Sequence, residues 1–249
     1  MYGEKNMSSR LSSFIKKKYI GKNKNLISLE DPYSIMPKIL RSHSVTNAID
    51  AGASNGRISK RLIQEFPNAN VYAFEPNPHY FPVLKQYAQQ ENRFHPEFLG
   101  ISDKEGKANL NITESLGNTS LFVPDEHLKK LQPEGSEIKK VEEIDIVTID
   151  NWAKKRNIFS IELMKFDIQA GELKALQGAV DIISSSTLVI YTEILFNPIY
   201  ENGAIFSEID LFLRKYNFVL YDIYKPKYDP NGKVMWANAI FVNSEKLGI

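Results

Sequence analysis

The chain has 249 residues, 43% of them hydrophobic and 24% charged, the balance of a globular protein that can bury a core rather than stay disordered. Its formal net charge of +1 gives no global argument for nucleic acid or for an acidic partner. It has no cysteine, which excludes disulfides, thiolate metal sites and cysteine nucleophiles, and it has no apolar run near the roughly 18 residues of a membrane span. The polar residues 1–10 lead into no apolar stretch, so no secretory signal is expected and the chain reads as cytoplasmic.

Residues 1–44 read as an N-terminal helical, partly basic extension. Lys16, Lys17, Lys18, Lys22 and Lys24 cluster there, and Leu11, Ile15 and Tyr19 recur at four-residue spacing. That spacing predicts a short amphipathic helix packed on the main domain, with a membrane surface or polyanion contact as the alternative. Residues 31–41 predict a second helix, capped by Asp31, opened by Pro32 and striped by Ile35, Ile39 and Leu40. Pro37 predicts a kink or a split in it.

From residue 45 to the end, strands alternate with helices. Residues 48–50, 71–74, 94–101, 162–166 and 187–192 read as strands, each running into an acid: Asp50, Glu75, Asp103, Asp167 and Glu193. Residues 58–66, 80–90, 172–183 and 206–216 read as the helices between them. Residues 107–147 interrupt the alternation and read as an excursion over the sheet, with an edge strand at 108–113, a short helix at 126–131 and an extended piece at 144–149. Residues 218–224 and 237–242 close the chain as two strands joined through Asp229-Pro230-Asn231-Gly232. The pattern predicts an α/β fold: a doubly wound, mostly parallel sheet with an antiparallel strand near its C-terminal edge. Ligands of such sheets bind outside the carboxyl ends of the strands, where the five acids fall.

The first strand-to-helix turn is Asp50-Ala51-Gly52-Ala53-Ser54-Asn55-Gly56. Its glycines permit a sharp turn and a close approach of backbone to ligand. Glu75, 19 residues after Gly56, stands where an acid about 20 residues on holds a ribose diol. A dinucleotide fingerprint would need glycine where Ser54 and Arg57 stand, which weighs against an NAD-dependent oxidoreductase. The turn instead resembles the first motif of class I methyltransferases, with Ser54 in place of the middle glycine, a change that requires a negative φ at Ser54.

Four more segments extend the resemblance. They are Phe74-Glu75-Pro76-Asn77, Gly117-Asn118-Thr119-Ser120-Leu121, Val147-Thr148-Ile149-Asp150 and Met164-Lys165-Phe166-Asp167-Ile168-Gln169-Ala170-Gly171-Glu172. With the first turn, they resemble the FkbM family of methyltransferases over residues 47–242. The family's pattern in the last segment is K-I-D-V-E-G-x-E, so Gln169 stands for Glu and Ala170 for Gly. The segment Glu193-Ile194-Leu195-Phe196-Asn197-Pro198-Ile199-Tyr200 also looks like the family.

The resemblance implies S-adenosylmethionine as cofactor and an O-methyltransferase acting on hydroxyls of sugars, glycans or related natural products. By it, Asp50, Gly52, Ala53, Ser54 and Gly56 form the cofactor turn, Glu75 and Asn77 take the ribose side, Ser102 and Asp103 lie by the adenine, and Asp167 lies by the methyl-transfer position, where it binds the cofactor's ammonium or acts on the substrate. Asn118, Ser120, Phe196 and Tyr200 are candidate acceptor contacts. An alcohol must lose a proton that is not acidic in water, so a base is expected, and Asp167 and Glu193 are the candidates. A divalent cation between these acids is the alternative, and two acids on neighbouring strands do not establish one. A catalytically silent relative that keeps the pocket is a second alternative, for which Ser54 and Ala170 leave room. Nucleic-acid methylation lacks an N-P-P-Y-type motif here. The acceptor's identity and the oligomeric state are not written in these motifs.

Overall fold

The computed structural model describes residues 30–249. The expected basic helix within residues 1–24 lies outside the described residues.

Helix α1 (Pro32–Ile39) begins as expected, with the Asp31 carboxylate accepting the Tyr33 N–H. Pro37 sits inside α1 without splitting it. A proline leaves its i−4 carbonyl unpaired, and an eight-residue helix that buries Tyr33, Ile35 and Met36 tolerates that loss.

Among the described residues, the main sheet has seven strands. In chain order they are β1 (Asn47–Ala51), β2 (Asn70–Phe74), β3 (Phe94–Glu97), β7 (Leu163–Phe166), β8 (Val189–Leu195), β9 (Phe218–Tyr228) and β10 (Val234–Asn243). Their spatial order is β3-β2-β1-β7-β8-β10-β9. All neighbours are parallel except β10, which runs against both β8 and β9. The antiparallel strand is therefore the penultimate one, and β9 at the edge runs parallel to the rest. The chain order reverses between β1 and β7, which makes their carboxyl ends the crevice of the sheet.

Helices α2 (Arg57–Glu65) and α3 (Phe81–Ala88), with α1, cover one face. Helices α5 (Ile149–Lys155), α6 (Glu172–Gln177), α7 (Val180–Ser185) and α8 (Phe206–Arg214) cover the other, and α9 (Ser244–Leu247) ends the chain. Two apolar layers result. One is built around Leu62, Val71 and Leu163, the other around Ile49, Met164, Leu176 and Phe241.

Residues 94–101 do not form one strand. Edge strand β3 carries Pro96, which an edge tolerates, and the chain then leaves the main sheet. It resumes as β4 (Gly100–Ile101), which pairs with β6 (Ile138–Val147), and β6 pairs in turn with β5 (Gly106–Thr113). The excursion is thus a second sheet of order β4-β6-β5, carrying α4 (Glu126–Leu131) between β5 and β6. The helix expected over 172–183 breaks at Gly178. A Cβ there would lie 2.1 Å from the Ser102 carbonyl oxygen, so only glycine lets the two backbones pass. The extended piece expected at 144–149 is the end of β6, and helix α5, capped by the Thr148 hydroxyl on the Asn151 N–H, begins at Ile149, where no helix was expected.

Candidate active site

Strand β1 delivers Asp50 and Ala51 to the crevice, and the chain turns at once. Gly52 has φ +76, and a Cβ there would sit 2.0 Å from the Asp167 carbonyl oxygen. The Gly52 and Ala53 N–H groups both donate to the Phe74 carbonyl, at 2.9 and 3.0 Å. Gly56, also at φ +76, starts α2. Ser54 departs from expectation: its φ is +51, not negative. A left-handed serine costs roughly 1–2 kcal/mol. It is held by its own N–H, which donates to Glu75 Oε2 at 2.7 Å. The Asn77 N–H donates to Glu75 Oε1 at 2.8 Å. Glu75 is buried, which pushes its carboxyl above the usual range, while these two N–H groups pull it back.

Beneath the turn lies a residue to which the sequence reading gave no role. Lys165 on β7 is 3% exposed. Its ammonium lies 2.9 Å from Asp50 Oδ1 and donates to the Ala51 and Gly52 carbonyls at 3.2 and 3.0 Å. It thus bonds two carbonyls of the cofactor turn and forms an ion pair with the acid that opens it. Burial would lower the Lys165 pKa, but the surrounding Asp50 and Asp167 charges win and it stays raised. Asp50 itself is 0% exposed, and its other oxygen accepts the Ser59 hydroxyl at 2.6 Å. Its place is under the turn, holding it. The available signal was a lysine in the strand Leu163-Met164-Lys165-Phe166, every residue of which is buried.

The two candidate acids meet as expected. The pairing of Phe166 with Thr192 puts the next residues, Asp167 and Glu193, side by side. Glu193 lies inside β8 rather than at its end, because β10 extends the strand to Leu195. Gln169, another residue without an assigned role, joins them. Its amide Nε2 donates to Asp167 Oδ1 at 2.9 Å and to Glu193 Oε2 at 3.1 Å, while its Oε1 accepts the Tyr200 hydroxyl at 2.8 Å. Gln169 and Ala170 hold φ +54 and +76, a strained pair that aims the amide back at the acids. The Ser120 hydroxyl secures this corner by donating to the Gln169 carbonyl at 2.5 Å. Burial raises the Glu193 carboxyl well above the usual range, and the Asp167 and Glu172 charges raise it further. Glu172, buried in the first turn of α6, is pushed up to about 7 by burial, against the Ile168 N–H it accepts at 2.8 Å.

Part of this assembly lines one cleft of about 940 Å³ of non-atom space, solvent at its mouth included, with Asp50, Lys165, Glu172 and Glu193 behind the lining. Gly52, Ser54, Glu75 and Asn77 form one wall, and Asp167 and Gln169 another. Leu99, Gly100 and Ile101 form the third, under a flap of residues 116–121 from the second sheet. Asn77 caps a turn with its Oδ1, on the His79 N–H at 3.0 Å, while its buried Nδ2 has no partner among the described residues.

Other expected residues stand elsewhere. Ala53 and Gly56 are buried behind the lining. Ser102 is buried and Asp103 exposed, both outside the lining. The Asn118 amide is spent on Gln132 and the Gly135 carbonyl, at 2.8 and 3.0 Å. Phe196 packs against Phe206 with the rings tilted by 46°, 5.5 Å between ring centroids. Tyr200 is buried and reaches the site through Gln169. Among the described residues, no group of three or more His, Asp or Glu side chains is arranged to hold a metal ion.

The methyltransferase FkbM domain family matches residues 50–220, more than half of the chain, and the chain belongs to that family. The 2-O-methyltransferase NoeI of Sinorhizobium fredii is 25% identical over 166 residues, covering 61% of this chain and 65% of that protein. Methyltransferase sdnD of Sordaria araneosa is 28% identical over 153 residues, covering 52% and 59%. The match thus spans less than two thirds of either relative. The crystal structure of Methyltransferase FkbM from Methylobacillus flagellatus is 15% identical with a TM-score of 0.49, covering 80% of this chain and 43% of that one.

Proposed function

We propose that the protein is an S-adenosylmethionine-dependent O-methyltransferase whose acceptor is a hydroxyl of a sugar, glycan or related natural product rather than nucleic acid, and that it acts in the cytoplasm. The observation that carries the reading is Asp167 and Gln169 in the wall of a cleft whose other wall presents Glu75, with the Gln169 amide bonded to the buried Glu193 behind them. The 2-O-methyltransferase NoeI supports a hydroxyl acceptor by its name.

The residues fit the cofactor on two observations. Glu75 is a buried acid with both oxygens oriented by N–H groups, leaving lone pairs for a ribose diol. The buried Nδ2 of Asn77, in the same wall, lacks a partner among the described residues, and a ligand acceptor would satisfy it. When bound, the cofactor supplies an activated methyl group. The chain's own residues do the rest. The Gly52–Ser54 turn gives close backbone approach, held from beneath by Lys165. Gln169 holds the two acids at one height. Glu193, its pKa raised by burial and by the Asp167 and Glu172 charges, takes the acceptor's proton, and Asp167 orients the hydroxyl. No metal is needed in this scheme.

Methyl transfer from labelled S-adenosylmethionine to a panel of saccharides and small alcohols tests it. Glu193→Gln and Asp167→Asn are expected to bind S-adenosylhomocysteine normally and to lose roughly 10²–10⁴-fold in turnover. Near-normal turnover in both would remove the acids from the chemistry. Loss on chelation with recovery on added divalent ion would replace the base by a metal. Cofactor binding without transfer to any acceptor would mark a silent relative.

A further inference from the structure

A second cleft opens at the same end of the main sheet, between α4 and the hairpin that joins β9 to β10. It encloses about 1190 Å³ of non-atom space, solvent at its mouth included. In the strand order, β2 with Glu75 lies to one side of β7 and β8, and the β10-β9 hairpin lies to the other. Asp167 and Glu193 therefore stand between the two clefts. The link is direct. Met235, Trp236 and Leu131 share one apolar cluster with Ala170 and Tyr200, whose hydroxyl bonds Gln169. The base of the hairpin is pinned to the segment after β8 by the Phe196 N–H on the Met235 carbonyl and the Asn197 amide on the Val234 carbonyl, both at 2.8 Å.

The lining combines two aromatics with charged and amide groups: Trp236 and Tyr228, with Lys130, Lys233, Asp229 and Asn231. Tyr228 is 55% exposed and Trp236 half-buried, so aromatic surface is left facing a concavity. Rings beside convergent polar side chains match a pyranose. Its C–H face stacks on an aromatic ring, while its hydroxyls need donors and acceptors at the rim. We propose that this second cleft binds a saccharide unit of the acceptor, remote from the hydroxyl that is methylated. The inference rests on the glycan reading above and adds where the rest of the glycan sits.

The test is an array of neutral and acidic oligosaccharides, with a single-stranded RNA oligomer included, probed with labelled full-length protein saturated with S-adenosylhomocysteine. The wild type is expected to retain a subset of the saccharides. Tyr228→Ala and Trp236→Ala are expected to weaken the best of them at least tenfold. Tyr228 is exposed, so its variant keeps the fold, and calorimetry should show its S-adenosylhomocysteine affinity unchanged. Retention of no saccharide, of the RNA alone, or of saccharides equally by wild type and both variants overturns the inference. Absent S-adenosylhomocysteine binding in the wild type is a different failure, that of the methyltransferase reading itself.

Discussion

Replacing Lys165 by methionine isolates what holds the cofactor turn. The change keeps the length and apolar stem of the side chain and removes its ammonium. Asp50, 0% exposed, then keeps only the Ser59 hydroxyl, and the Ala51 and Gly52 carbonyls lose a donor. Removing one partner of a buried ion pair costs about 3–5 kcal/mol, because the other charge is left uncompensated. In a domain of this size each kcal/mol lowers Tm by about 2–4 °C, so a fall of roughly 6–20 °C is expected in a thermal melt. Adding Asp50→Asn removes the stranded charge, and the double variant should recover part of the loss, with a coupling of about 0.5–3 kcal/mol. S-adenosylhomocysteine affinity should fall in the single variant even where the protein remains folded, since the Gly52 carbonyl is no longer fixed. A single-variant loss below about 1 kcal/mol, or strict additivity in the double, would refute the claim that Lys165 and Asp50 form one clamp.

Glu75→Ala should weaken S-adenosylhomocysteine binding by at least about 100-fold in calorimetry, since two charge-assisted bonds of about 1.5–3 kcal/mol each are at stake; a change under tenfold would place the ribose elsewhere. Gly52→Ala forces a Cβ to 2.0 Å from the Asp167 carbonyl at a left-handed φ, so loss of cofactor binding and a lowered melting temperature are expected, and an unaltered variant would contradict the close approach. Glu172, raised to about 7, binds a proton in the folded state that the unfolded chain releases near 4.5. Stability therefore falls as pH rises from about 4.5 through about 7, by roughly 3 kcal/mol for this group. Glu172→Gln, which keeps an acceptor for the Ile168 N–H, should melt higher than wild type at pH 8 and about equally at pH 4.5; equal melts at both would deny that the carboxyl is ionised at a cost.

The carboxyl-end acids were legible in the sequence because parallel strands are buried runs that stop abruptly at the crevice: Glu75 and Asp167 each follow such a run, and Asp50 lies one residue inside the end of β1. Glu193 was legible as a residue but not as an interior strand position, since β10 lengthens β8 by pairing across 40 residues of intervening chain. The split of residues 94–101 was hidden because an apolar run does not say which of two sheets it joins. Gly178 falls inside the helix expected over 172–183, and its reason is a long-range contact with the Ser102 backbone. Lys165 and Gln169 stood inside a recognisable motif, yet their roles depend on what lies beneath the turn and between two strands, which spacing alone does not encode. Ser54 shows the opposite lesson: its left-handed φ follows from the closure of the turn on Glu75, which overrides the preference of the residue.

The most direct test of the account is a calorimetric titration of the full-length protein with S-adenosylhomocysteine and, separately, with NAD. A micromolar-range dissociation constant for S-adenosylhomocysteine, about −8 kcal/mol, is expected, with no heat from NAD. NAD binding in the absence of any S-adenosylhomocysteine binding would contradict the assignment of the Glu75 cleft and, with it, the proposed methyl transfer.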